Sequence, residues 1–230
     1  MKFSEYLQNN VYPGRGLAIG RSADGKKAIL CYFIMGRSSG SRNRVFEADG
    51  NGLRTRAFDE SKLPDPSLYV YRAVRVNGNY TVVTNGDQTD TIRDYLAKGR
   101  SFRDALMTRS FEPDGPLYTP RISGIIRTGG RFELSILKSG DGDPDYNHRF
   151  FYTYDDVPIG SGCFISTYQC DGNPPPSFAG EPIAVTLPEP DDVWSALNPD
   201  NKVSLYSCTL DIGNFECDER LFNLYGGENA

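Results

Sequence analysis

Four glycine-bearing turns, each joining two runs rich in apolar and β-branched residues, constrain this 230-residue chain more tightly than any other feature. Glycine reaches the positive φ that short hairpin connections demand, and its neighbours here are mostly Asp and Asn, which tolerate the same region. The spacing predicts hairpins joining 16–21 to 27–35 through Asp24-Gly25, and 43–47 to 53–58 through Asp49-Gly50-Asn51-Gly52. Two more join 67–76 to 80–84 through Asn77-Gly78-Asn79, and 121–127 to 132–137 through Gly129-Gly130. Further strands are expected at 149–154, 163–169, 183–187 and 203–212.

Between the third and fourth hairpins the apolar period changes from that of a strand to that of a helix. Ile92, Tyr95 and Leu96 share a helical face, with Asp87 or Thr89 as cap and Gly99 as stop. Ser101 and Asp104 have capping-box spacing ahead of Phe102, Ala105 and Leu106. A third short helix is expected near 191–197, after Pro190. Antiparallel hairpins with clustered helices predict an α+β domain, two sheets packed face to face under helices. Neither a repeat nor a shift in composition divides the chain, so residues 1–230 are read as one domain.

Composition narrows the function. Hydrophobic residues make up 38% and charged residues 24%, as in a globular domain. A net charge of −5 offers no broad basic surface to nucleic acid or to an anionic membrane, although a local basic patch can hold one small anion. The opening MKFSEYLQNN lacks the apolar stretch of a signal peptide, and the longest apolar run, 28–35, is too short for a bilayer. A soluble, cytoplasmic protein is the expectation. Five cysteines with no Cys-x-x-Cys pair argue against a disulfide framework and a zinc site, and Cys31 reads as a core residue. The single histidine, His148, lies in a polar stretch and reads as a surface-loop residue. One histidine rules out multi-histidine metal clusters and gives a Ser-His-Asp triad no support. No metal or other cofactor is called for.

Arginine concentrates in one place. Met35-Gly36-Arg37-Ser38-Ser39-Gly40-Ser41-Arg42-Asn43-Arg44 sets three guanidinium groups and three hydroxyls at the end of an apolar strand. Guanidinium forks match phosphate geometry, and serine hydroxyls with glycine-permitted amides complete an anion cradle. A solvated basic turn is the plainer reading of the same residues. Arg15, in Tyr12-Pro13-Gly14-Arg15-Gly16, can reach the same place, although alone it reads as an exposed arginine on a Pro-Gly turn. Asn85-Gly86-Asp87-Gln88-Thr89-Asp90 opens the first helix. Its N–H groups suit a polar ligand edge, while capping explains the segment without one. Glu112 and Arg121, framed by prolines, are a general base beside an arginine or else a surface ion pair. Tyr69 and Tyr71 share one face of a predicted strand, where core packing is the ordinary role.

Together the strings YPGRG, IMGRSSGSRNRVF, NGDQTD and EPDGPLYTPRISG resemble those of the archaeal-type inosine monophosphate (IMP) cyclohydrolases and their bacterial relatives, over most of residues 11–138. The resemblance implies the N-terminal nucleophile hydrolase-like fold, a four-layer αββα sandwich. It implies closure of 5-formamidoimidazole-4-carboxamide ribotide to IMP with loss of water, without metal or redox cofactor. In that picture Arg42 matches the family's active-site arginine, Tyr71 its tyrosine and Glu112 its acidic residue. Arg15, Arg37, Ser38, Asn43, Asp87 and Arg121 would bind the substrate. The expected partner is a small purine nucleotide, not nucleic acid or membrane, with a homo-oligomer left open.

The chain departs from the family pattern at two positions expected to line the site. Arg72 follows the matched tyrosine in place of Asn, and Gln88 stands in place of His. Two alternatives stay open: a purine-nucleotide-binding paralogue without turnover, and an amide hydrolase of the same fold. The latter uses a Cys, Ser or Thr exposed at a processed N-terminus, where this chain has Met1-Lys2.

Overall fold

Strand β2 (Lys27–Met35) is apolar on both faces. Leu30, Tyr32 and Ile34 join one core cluster and Cys31, Phe33 and Met35 another. Such a strand needs cover on both sides. The computed structural model, which describes residues 1–62 and 69–226, shows what supplies it. One antiparallel sheet of six strands runs in the order β11 (Ile183–Thr186), β10 (Ser161–Ser166), β1 (Gly16–Arg21), β2, β12 (Lys202–Asp211), β13 (Cys217–Asn223). The second has seven strands in chain order: β3 (Arg44–Asp49), β4 (Gly52–Ala57), β5 (Arg72–Asn77), β6 (Tyr80–Thr84), β7 (Arg121–Arg127), β8 (Phe132–Gly140) and β9 (Asp143–Tyr154).

Leu17, Ile19, Leu30 and Tyr32 of the first sheet share a buried layer with Val83, Ile122, Ile126 and Leu134 of the second. Gly124 permits the approach, because a Cβ there would lie 2.8 Å from the side chains of both Leu17 and Ile19. Helices α1 (Phe3–Asn9) and α5 (Pro190–Ala196) cover the outer face of the six-stranded sheet, with Phe3, Leu7 and Val193 against Phe33, Phe164 and Leu205. Helices α3 (Gln88–Ala97) and α4 (Phe102–Met107) cover the other, with Ile92, Phe102 and Leu106 against Val82, Ile125 and Leu137. The expected αββα layering is the observed one. The capping box of α4 is formed on both sides, Ser101 and Asp104 each accepting the other's backbone N–H at 3.0 Å.

Several expectations are corrected. The strand expected at 67–76 begins at Arg72, and residues 63–68 lie outside the described residues. Ahead of it Thr55 replaces the regular ladder: its hydroxyl donates to the Tyr69 carbonyl at 2.6 Å and accepts from the Tyr71 N–H at 2.9 Å, while its backbone N–H donates to the Tyr71 carbonyl at 2.8 Å. Strand β9 starts well before 149, so His148 is a strand residue, paired with Lys138 and packed between the Tyr146 and Phe150 rings. Helix α1 was not anticipated, since Phe3 and Leu7 are its only buried residues and no side chain caps it. Contrary to the reading against disulfides, Cys208 and Cys217 are bonded across the β12–β13 hairpin. Their spacing matches no motif, and only the strand register brings their Cα atoms within 6.1 Å. Cys31 is fully buried, as expected. Among the described residues no helix is long and apolar enough to cross a membrane.

Candidate active site

A cleft of about 220 Å³ opens between five chain segments: 12–15 before β1, 35–44 around the one-turn helix α2 (Ser39–Arg42), Tyr69, 112–119 before β7, and 167–175 after β10. Gly14 sets the first of these. Its φ of +78° is one that L side chains rarely adopt, and a Cβ there would lie 2.3 Å from the Thr167 hydroxyl. The Arg15 N–H donates to that hydroxyl at 3.1 Å, and the Thr167 N–H donates to the Arg15 carbonyl at 2.9 Å. So anchored, Arg15 turns into the cleft rather than out to water.

There the guanidinium meets Glu112 at two points, Nη1 to Oε1 at 2.9 Å and Nη2 to Oε2 at 3.1 Å. The two side chains are only 10% and 6% exposed, so this pair is desolvated, unlike the surface ion pair the sequence also allowed. Burial pushes the Glu112 carboxyl up from its ordinary value, against the opposing pull of Arg15 and Arg121. Burial works to lower Arg15, but the Glu112 charge and the neighbouring tyrosines outweigh it and hold the guanidinium well above its ordinary value. Thr119 braces the loop that carries Glu112. Its carbonyl accepts the Glu112 N–H at 2.9 Å, its N–H donates to Asp114 at 2.7 Å, and its hydroxyl lies 3.0 Å from that of Tyr168.

The expected polar loop after β2 is instead helix α2. Ser38 Oγ accepts the Ser41 N–H at 3.1 Å and Ser41 Oγ accepts the Ser38 N–H at 3.0 Å, so both hydroxyls already serve the cap. Gly36 makes room for it, since a Cβ there would stand 2.6 Å from the Ser41 backbone. A helical turn advances about 100° per residue. Arg42 consequently stands half-exposed outside the cleft lining, while Arg44, at the start of β3, points in. Arg44 is 3% exposed; its Nε donates to the Ser41 carbonyl at 2.8 Å and its Nη2 to the Met35 carbonyl at 3.4 Å. Its guanidinium lies 5.8 Å from the Tyr69 ring centre. Among the described residues no carboxylate pairs with it. A buried cation satisfied by carbonyls alone is uncompensated, which suits this cleft to an anionic group. At the rim Arg37 donates to Asp171 at 2.6 Å and to the Gly172 carbonyl at 2.7 Å, and it lies 4.5 Å over the Tyr12 ring.

Of the residues singled out in the sequence, Arg15, Arg37, Ser38 and Glu112 line this cleft. Five do not. Besides Arg42, Asn43 is committed to the chain reversal after β4, where it exchanges two 2.8 Å hydrogen bonds with the Asp59 backbone. Tyr71 lies in the inter-sheet core, its hydroxyl 3.0 Å from that of Tyr32, and burial pushes the Tyr32 phenol up. Asp87 accepts from Arg109 and from Arg121, each at 2.6 Å. Its half-burial works against ionisation, yet Arg121 and Arg109 hold it below its ordinary value. Arg121 is buried behind the cleft and also donates to Gln88 Oε1 at 2.7 Å. Neither departure from the family pattern lines the cleft. Arg72 is exposed and pairs with Asp49 at 2.7 Å, and Gln88 is buried behind Arg121.

Arg44, Tyr12, Asp114, Thr119, Thr167 and Tyr168 are among the other residues of the lining. Arg44 stood in the same basic string as Arg42, but nothing local tells which of them faces inward. For Thr167 and Tyr168 the sequence carried no signal. The one group of metal-capable donors among the described residues, Cys208, Cys217 and Glu219 within 4.8 Å of one another, is remote from this lining, and its two sulfurs are bonded to each other.

A family model described as IMP cyclohydrolase-like protein matches residues 12–214, a span that includes every cleft residue. The chain belongs to this family. Among similar proteins, the IMP cyclohydrolase of Methanopyrus kandleri is 29% identical over 201 residues, 80% of this chain and 98% of that protein. The IMP cyclohydrolase of Methanothrix thermoacetophila is 29% identical over 174 residues, 74% of this chain and 80% of that protein. That of Thermococcus kodakarensis is 38% identical over 124 residues, 52% of this chain and 58% of that protein. As a member of the IMP cyclohydrolase-like family, the chain carries its desolvated arginines and Glu112 inside the stretch the family shares.

Proposed function

We propose that this chain is an IMP cyclohydrolase, closing 5-formamidoimidazole-4-carboxamide ribotide to IMP with loss of water in purine biosynthesis. The observation that carries the reading is the buried, uncompensated Arg44 guanidinium sharing one cleft with the Arg15–Glu112 pair. The charge that develops on the substrate's formyl oxygen supplies the anionic partner that Arg44 lacks.

In the reaction the carboxamide nitrogen attacks the formyl carbon, and one N–H proton passes to the former formyl oxygen. The resulting hydroxyl leaves as water with the proton of the former formamide nitrogen, which completes the ring double bond. Attack is intramolecular, so holding the folded-back conformer removes much of the barrier. Charge builds on the formyl oxygen, and Arg44 takes the stabilising role for which Arg42 was a candidate. Glu112, held by Arg15, takes and returns the protons. Tyr71, behind Arg15 in the core, supports that guanidinium rather than touching substrate, and Arg37 with Ser38 holds the phosphate at the rim. Arg121 and Asp87 serve the frame around Glu112, and Asn43 serves the backbone of α2 and β3.

The substrate is a small purine-pathway nucleotide, and a cytoplasmic protein of one domain over 1–230 fits this reading. The family match over 12–214 and the layer shared by both sheets support one domain. Incubating the purified chain with the formamido ribotide tests the proposal by the growth of purine absorbance. IMP binding by calorimetry with no turnover would instead establish the binding paralogue. A processed N-terminal nucleophile seen by mass spectrometry would favour the amide hydrolase.

A further inference from the structure

We infer that Asn85 is the positioning residue of the Arg15–Glu112 pair. The inference deepens the cyclohydrolase reading and rests on the role given there to Glu112. Asn85 lies in the turn between β6 and α3, is 0% exposed and does not line the cleft, so it acts through other groups. Its backbone carbonyl accepts from Arg15 Nη1 at 3.3 Å. Its Nδ2 donates to the Pro120 carbonyl and its Oδ1 accepts the Ile122 N–H, both at 2.8 Å. These two bonds grip the chain on either side of Arg121, where the Glu112 loop enters β7. Oδ1 also accepts from Gln88 Nε2 at 3.1 Å, and Gln88 Oε1 in turn holds Arg121 Nη1 at 2.7 Å.

One residue therefore ties together both guanidinium groups that act on Glu112 and the base of the loop that carries it. The residue type suits the task. A carboxamide offers donor and acceptor at once and brings no charge. Aspartate would lose the donor to Pro120 and place a second negative charge near Glu112, and leucine would lose all three side-chain bonds while keeping the backbone carbonyl that meets Arg15. The segment Asn85-Gly86-Asp87-Gln88, which capping alone explained in the sequence, thus acquires a second duty behind the site.

The test compares full-length wild type with Asn85→Leu by steady-state kinetics and by 13C NMR titration of the Glu112 carboxyl. With the loop base and, through Gln88, Arg121 loosened, kcat falls on the order of 10²-fold, the scale of a small misplacement of reacting groups. KM moves less than about threefold, because the rim that binds phosphate is untouched. The Glu112 titration and the acid limb of the rate profile shift upward together. Where Asn85→Leu does not fold, Asn85→Ser keeps a hydroxyl for part of the network and is read the same way. A wild-type chain without ring closure removes the functional reading, and the carboxyl titration still decides this inference. An unmoved Glu112 titration in a folded variant overturns it, as does a kcat loss accounted for by loss of folded protein alone.

Discussion

Arg15 and Glu112, 97 residues apart in the chain, meet in a two-point contact at 2.9 and 3.1 Å with almost no access to water. A desolvated pair of this kind binds its two segments together only while both charges are present. Glu112→Ala strands a buried cation and should cost roughly 3–5 kcal/mol in urea unfolding. The double change Arg15→Met with Glu112→Leu should recover most of that stability and remain without cyclohydrolase activity. A single variant as stable as wild type would mean that the pair is solvated in solution.

The same carboxyl sets the pH response. Burial raises it from the ordinary 4.5, against the pull of Arg15 and Arg121. A proton acceptor works in its ionised form, so kcat/KM declines on the acid side with a midpoint above 4.5. Glu112→Gln should be slow and lack that limb. Finding the limb intact in the variant would assign it to another group.

Arg42 and Arg44 separate under substitution. Arg44→Ala removes the buried cation facing the cleft and should lower kcat/KM by about 10²-fold or more, as when a charge-stabilising donor is lost. Arg42→Ala, altering a half-exposed side chain outside the lining, should stay within about threefold of wild type. The reverse order of effects would return the role to Arg42.

In the proposed reading Arg37 binds phosphate at the rim, where its bonds to Asp171 and to the Gly172 carbonyl yield to the incoming group. Arg37→Ala should raise KM about tenfold with kcat nearly unchanged, the signature of binding energy shared by ground and transition states. Raising ionic strength should weaken wild type more than this variant. Equal salt dependence in the two would show that phosphate is held elsewhere.

The hairpins and the helix periods were open to inspection in the sequence because they depend on near neighbours, whereas the αββα layering was implied by the family resemblance. Gly25, Gly50 and Gly129 mark turns through their own φ, and β2 announces its two covered faces by being apolar throughout. The Ser101–Asp104 cap closed as its spacing required. The arginine string is legible too, as a local concentration of positive charge at a strand end.

What stayed hidden was decided by where the layers close. Arg42 and Arg44 look alike in the chain, and only the single turn of α2, folded over Gly36, turns one outward and buries the other. Arg15 read as an exposed turn residue until Thr167 and Glu112 arrived from far along the chain. Local sequence dictates backbone angles and which side of an element a residue takes. Desolvation and charge pairing depend on which distant segments meet, and those came only with the packed sheets.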